Sequence, residues 1–217
     1  MHTKIHNILF DLDGTLTDPK EGIVNSILYA LEKLGIQENH INELDTFIGP
    51  PLRGSFIARY NLSDNLADKA VTFYREYFSE KGLYENQVYP GVAELLEFLV
   101  SRKYQLFVAT SKPTVYSDKI LRHFNLHKYF TGIVGSNLDN TRTDKSEVIA
   151  HVVSTYSLQP VNSIMVGDRK HDIIGAKNNS MRSIAVTYGY GSLEEILSEN
   201  PDFIVNCCIE LKSLFLN

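Results

Sequence analysis

The chain has 217 residues, 43% of them hydrophobic and 22% charged, with a net charge of -5; this balance excludes a disordered chain and argues against a general nucleic-acid binder, whose footprint would be basic. Its two cysteines, Cys207 and Cys208, are adjacent, which excludes a disulfide framework and a CxxC metal site. No apolar stretch approaches the ~20 residues that span a bilayer, and no signal-peptide apolar segment opens the chain, so a cytoplasmic protein without a membrane partner is expected.

The first strand signal covers residues 8–10, Ile-Leu-Phe, and runs directly into DLDGTLTD at 11–18. A continuous apolar run, as opposed to an alternating one, predicts a strand covered on both faces, as in a parallel sheet. No strand signal follows from 17 to about 86. There, Asp18-Pro19 predicts a helix start, Ile23, Ile27, Leu31 and Leu34 form a stripe, and Gly35 is its stop. A second helix is expected from Ser63, with Leu66, Ala70, Phe73, Tyr77 and Phe78 as its apolar stripe before Gly82. Tyr89-Pro90-Gly91 marks the return. Further strand runs at 105–109, 132–134, 163–166, 183–186 and 203–205 then alternate with helical stripes, among them Val92, Leu95, Leu96, Leu99 and Val100, then Val148, Ile149, Val152, Val153 and Tyr156. The pattern predicts an α/β fold: a Rossmann-like three-layer core with a mostly parallel sheet over residues 1–16 and 87–217, and an all-helical domain inserted at 17–86.

Ligands of open α/β sheets bind beyond the carboxyl ends of the strands, so those ends are read together. Asp11 and Asp13 follow the first strand; Thr110, Ser111 and Lys112 follow the second; Gly167, Asp168 and Asp172 follow the fourth, and Lys145 begins the helix before it. Four carboxylates at one sheet edge would repel one another, and a divalent cation resolves the conflict. Mg²⁺ takes hard oxygen ligands, which makes Asp11 and Asp168 the natural direct ligands and Asp172 a support, with Asp13 in the same acidic group. An EF-hand loop fails, because Gly14 stands fourth where that motif needs Gly sixth.

DLDGT at 11–15, Thr110-Ser111, Lys145 and GDRKHD at 167–172 together resemble the four ordered motifs of the haloacid dehalogenase superfamily. The insertion after the first motif resembles the helical cap of its phosphoglycolate phosphatase-like branch. The resemblance implies that Asp11 is a nucleophile forming an aspartyl-phosphate, and that Asp13 is the acid and base that serves leaving alcohol and water. It also implies that Thr110, Lys145 and the backbone around Gly14, Thr15 and Ser111 hold phosphate oxygens, with Mg²⁺ as cofactor. Dehalogenation expels halide, which needs no proton, so Asp13 favours phosphoryl chemistry. A small-molecule phosphate ester is the expected substrate, with phosphoglycolate first and a nucleoside monophosphate second. A phosphoglucomutase-type transferase shares the motifs, and a phosphate-sensing module is the non-catalytic rival.

The remaining candidates are weighed against plainer roles. A cation at a helix start opposes the helix dipole, which argues that Lys145 has a functional reason to be there. Lys112, Arg169 and Arg53, the last within the insertion, are candidate substrate cations against a solvated alternative. His123 and His127 lack the Glu of HExxH and read as packing or surface residues. His171 receives no chemistry, and Tyr188-Gly189-Tyr190-Gly191 reads as a loop. Monomer and homodimer both stay open.

Overall fold

The apolar run at 8–10 lies in strand β1 (Asn7–Phe10), where Ile8, Leu9 and Phe10 are fully buried. In the computed structural model, which describes residues 4–216, the chain continues through a short strand β2 (Thr17–Asp18), helices α1 (Lys20–Leu34), α2 (Leu52–Tyr60) and α3 (Asp64–Tyr77), and a short strand β3 (Gln87–Val88). The alternating part follows: α4 (Val92–Ser101), β4 (Gln105–Pro113), α5 (Thr114–His123), β5 (Gly132–Ser136), α6 (Lys145–Thr155), β6 (Ser163–Gly167), α7 (Lys170–Asn178), β7 (Arg182–Val186), α8 (Leu193–Ser198), β8 (Phe203–Val205) and α9 (Cys208–Ser213). Two units result, one from the segments up to Asp18 and from Val88 onward, the other Pro19–Gln87.

The first unit is built on a six-stranded sheet in the order β5-β4-β1-β6-β7-β8, with every pairing in it parallel. This is the Rossmann order, in which the chain moves outward on one side of β1 and then restarts on the other, leaving a crevice between β1 and β6. Both strand faces are covered, as the continuous apolar runs require. Leu9, Phe107, Ala109 and Met165 pack with Val148, Ile149 and Val152 of α6 on one face. Their strand neighbours Ile8, Phe10, Leu106, Val108 and Val166 are also buried. Each such Ile, Leu or Phe contributes about 1.5–3 kcal/mol by leaving water, which ties the register to the core. Register then aligns the strand ends: Phe10 stands opposite Val108 on one side and Val166 on the other.

The second unit contains no β-ladder of its own among the described residues; α1, α2 and α3 are joined by a 3₁₀ turn at Ile41–Phe47 and followed by a π-type turn at Phe78–Gly82. Ser63 stands at the N-terminal boundary of α3, where the helix was expected to start, but the apolar stripe is rotated. Leu66 is 41% exposed, while Ala67, Ala70, Val71 and Tyr74 are buried. Ala70 and Phe78 of the expected stripe are buried, and Ala67, Val71 and Tyr74 complete the buried face in place of Leu66, Phe73 and Tyr77. Helix α2 was also missed, since LRGSFIARY carries one buried residue, Phe56, and hence no stripe.

Candidate active site

The motif after β1 is fixed by backbone hydrogen bonds at both ends. The Asp11 N–H donates to Val166 O at 2.9 Å, continuing the ladder, and the Gly14 N–H donates to Thr17 O at 2.8 Å, closing a turn. Gly14 has φ of +82°, and a Cβ there would lie 2.3 Å from Asp168 Oδ2. Only glycine fits that backbone and that approach.

The turn gives the two acids different partners. Asp11 Oδ1 lies 2.9 Å from the Lys145 ammonium and accepts the Leu12 N–H at 2.7 Å. Asp13 Oδ2 lies 2.8 Å from the Lys112 ammonium. Asp13 is buried, which raises its pKa above the ordinary carboxylate value although Lys112 opposes the rise. Its other oxygen, Oδ1, is buried without a hydrogen-bond partner.

Lys145 is the first residue of α6, whose N-cap Asp144 accepts the Ser146 N–H. Its ammonium reaches Asp11 Oδ1, Asp172 Oδ1 at 2.8 Å and the Ala109 carbonyl at 3.1 Å. Burial disfavours the charge, but the carboxylates of Asp11 and Asp172 outweigh it and hold the pKa above the usual lysine value. Asp172 stands in the first turn of α7, where its Oδ2 accepts the Arg169 N–H at 3.1 Å. Burial drives its pKa upward, with Lys145 in opposition.

Asp168 follows β6 and accepts the Thr15 hydroxyl at 3.2 Å and the Tyr190 N–H at 2.8 Å, but among the described residues no lysine or arginine forms an ion pair with it. Burial first, then the neighbouring Asp172 and Asp11, push its pKa up to about 8. One carboxylate oxygen from each of Asp11, Asp168 and Asp172 lies within 4.8 Å of the others. These three carboxylates and the one ammonium of Lys145 leave two negative charges when ionised, the complement of a divalent cation. The all-oxygen donor set suits a hard ion.

The other anticipated residues fall in different places. Thr110 is buried within β4, which runs on to Pro113 past the expected strand end, and its Oγ1 accepts the Lys112 N–H; the Ser111 carbonyl accepts the Ser136 hydroxyl. Arg169 is engaged with Glu195 at 2.9 Å. Arg53, in the second unit, pairs with Asp64 at 2.6 Å and Asp68 at 2.7 Å. Asp13, grouped with the metal ligands in the sequence reading, is turned toward Lys112, outside the trio of carboxylates.

One contributor was missed. The loop at 188–191 covers Asp168: the Tyr188 hydroxyl donates to Thr15 O, Tyr190 supplies its N–H to Asp168 and its hydroxyl to Asp18. A Cβ at Gly189 would lie 2.3 Å from Gly14 O and 2.4 Å from Asp168 Cβ. The signal was two glycines after a strand, spaced like no known motif; their use here is to let one loop press against another.

Fold and site together define an α/β protein of Rossmann topology with a buried cluster of carboxylates and a lysine ammonium at the carboxyl ends of β1 and β6. A profile described as haloacid dehalogenase-like hydrolase matches residues 8–186. The chain is 48% identical over 208 residues to a protein of Pseudomonas aeruginosa named 5′-nucleotidase, covering 96% of this chain and 93% of that one. It is 30% identical to a phosphoglycolate phosphatase of Vibrio parahaemolyticus, covering 94% and 93%. It is also 35% identical to the tyrosine-protein kinase PtkA of Mycobacterium tuberculosis, covering 87% of this chain and 64% of that longer one. A crystal structure of a predicted phosphatase from Clostridium acetobutylicum superposes with a TM-score of 0.94 at 46% identity, covering 98% of this chain and 99% of that one.

The chain belongs to the haloacid dehalogenase-like hydrolases, and it is a phosphatase acting on phosphomonoesters. Among the described residues no helix is long and apolar enough to cross a membrane.

Proposed function

We propose that this phosphatase hydrolyses small phosphomonoesters through an aspartyl-phosphate on Asp11, with Mg²⁺ held by Asp11, Asp168 and Asp172. The observation that carries the reading is the buried trio of carboxylates, bound by the single ammonium of Lys145, at the crevice between β1 and β6. In the first step an Asp11 oxygen attacks phosphorus, the ester P–O bond breaks, and the leaving oxygen takes a proton from Asp13. In the second a water attacks the same phosphorus, Asp13 takes its proton back, and Asp11 is released with inorganic phosphate. When bound, the cation offsets repulsion between the anionic nucleophile and the anionic phosphate. Lys145 holds Asp11 in line, and Thr110 with the backbone near Gly14 and Ser111 receives the phosphate oxygens. Residues 19–87 serve as the cap whose closure excludes bulk water.

For the substrate, the relative named 5′-nucleotidase, at 48% identity, moves a nucleoside 5′-monophosphate ahead of phosphoglycolate. A panel of nucleotides, phosphoglycolate and sugar phosphates, assayed with Mg²⁺ and with EDTA, tests this reading. The expected result is Mg²⁺-dependent phosphate release that is fastest on a nucleotide and lost in Asp11→Asn, with the fold retained. Wild-type rates in Asp11→Asn would sink it. The kinase relative favours a second reading, transfer to an acceptor other than water, which product analysis with a tyrosine-containing peptide and ATP separates from hydrolysis.

A further inference from the structure

The catalytic scheme gives Lys112 no task, yet its position is closely specified. Its side chain is 6% exposed, and its ammonium lies 2.8 Å from Asp13 Oδ2. The pairing of β4 with β5 changes register between Ala109 and Pro113, and such irregularities re-aim side chains. The Lys112 N–H is held on Thr110 Oγ1 at 3.3 Å. A Cβ at Gly135 would lie 2.0 Å from Lys112 O, so the neighbouring strand closes directly on this backbone. Opposite, Asp13 is itself 8% exposed, and its Oδ1 is buried with no hydrogen-bond partner. The two oxygens of one carboxyl group are thus unlike: Oδ2 is anchored by an ammonium, and Oδ1 is buried with no hydrogen-bond partner among the described residues.

We infer that Lys112 is a positioning residue that anchors Asp13 through Oδ2 and so directs proton exchange through Oδ1. The ammonium donates to Oδ2 at 2.8 Å and its positive charge disfavours a proton on that oxygen, which leaves Oδ1 as the favoured seat. The acid form of Asp13 therefore carries its proton on Oδ1. That proton passes to the ester oxygen as the P–O bond breaks and the Asp11–phosphorus bond forms. Oδ1 then accepts the proton of the attacking water. This role rests on the reading of Asp13 as acid and base, and it differs from the expectation that Lys112 grips substrate phosphate.

The two roles separate by leaving group. A nucleoside 5′-monophosphate expels an alkoxide that needs a proton, whereas p-nitrophenyl phosphate expels a phenolate that does not. The readout is kcat/KM, which ends with the first irreversible transfer. In Lys112→Met it should fall about 100-fold on the nucleotide, the lower range of general-acid effects, and at least about tenfold less on the nitrophenyl ester. The inhibition constant of inorganic phosphate should stay within about threefold, as expected when ground-state binding is spared. Lys112→Arg should restore much of the nucleotide rate.

Equal losses on both esters, matched by weaker phosphate inhibition, would overturn the inference in favour of a phosphate ligand; no loss on either would overturn it outright. If Lys112→Met fails to fold, Lys112→Gln is read by the same criteria. Asp13→Asn, run in parallel, distinguishes the layers. Discrimination between the esters by Asp13→Asn and not by the Lys112 variants removes only the role of Lys112, and none by Asp13→Asn removes the acid-base reading beneath it.

Discussion

Two shielded carboxylates in this chain have opposite fates. Glu38, in the second unit, is met by the Arg59 guanidinium, the Tyr60 hydroxyl and the His40 N–H. Hydrogen bonding to Arg59 above all lowers its pKa to about 2. Asp168, in the first unit, receives a hydroxyl and one N–H but, among the described residues, no ion pair, and burial beside two other acids raises its pKa to about 8. Among the described residues the fold pairs Glu38 with a cation and gives Asp168 hydrogen-bond donors alone. The difference agrees with the proposal that Asp168 takes a cation from solution.

The contrast can be broken most forcefully at Asp168. In Asp168→Asn, the affinity for Mg²⁺ read by calorimetric titration should fall at least about 10–100-fold. In EDTA the same variant should melt higher than the wild type, since relief of about 1 kcal/mol of crowding raises Tm by about 2–4 °C in a chain of this size. Unchanged Mg²⁺ binding would erase the distinction between the two acids.

The contact that crowds Asp168 offers the next test. Gly14→Ala combines a left-handed backbone with a collision at Asp168 Oδ2 and should cost about 1–3 kcal/mol, read as a lower urea midpoint.

Glu38 gives a smaller, pH-dependent effect. Its pKa is lowered on folding, so its stabilisation is present above the unfolded value of 4.5 and is lost as pH falls toward about 2. Glu38→Gln should flatten that part of the acid-unfolding curve by about 1 kcal/mol after solvent screening. A variant that follows the wild-type curve would show that Arg59 contributes nothing measurable.

The smallest effect tests the packing of α3. Leu66→Ala should lie within about 0.5 kcal/mol of wild type, whereas Val71→Ala should cost roughly 1 kcal/mol or more, because Val71 is 5% exposed and its loss leaves a void.

Much of the site was legible because its chemistry is written in short local runs. DLDGT, Lys145 and the Asp168–Asp172 pair stand at predicted strand ends or helix starts, and strand order does the rest. The second unit was less legible for a related reason. In α1 the expected Ile23, Ile27 and Leu31 are buried, but α3 turns Ala67, which carries little apolar signal, inward in place of Leu66, and α2 buries only Phe56. The Tyr188–Gly191 loop was invisible as a site element because it acts through backbone N–H and close approach, for which a sequence has no letter.

By itself the sequence determined the alternation of strand and helix, the acidic character of one sheet edge and the residue types able to move a phosphoryl group, since these depend on periodicity and on chemistry carried by single side chains. Only the tertiary structure decided which cation each acid meets: Lys145 for Asp11 and Asp172, Lys112 for Asp13, and, among the described residues, no ion-pair partner for Asp168. Coulomb energy depends on separations of a few ångströms between residues as distant as 11 and 172, and chain folding alone sets those separations.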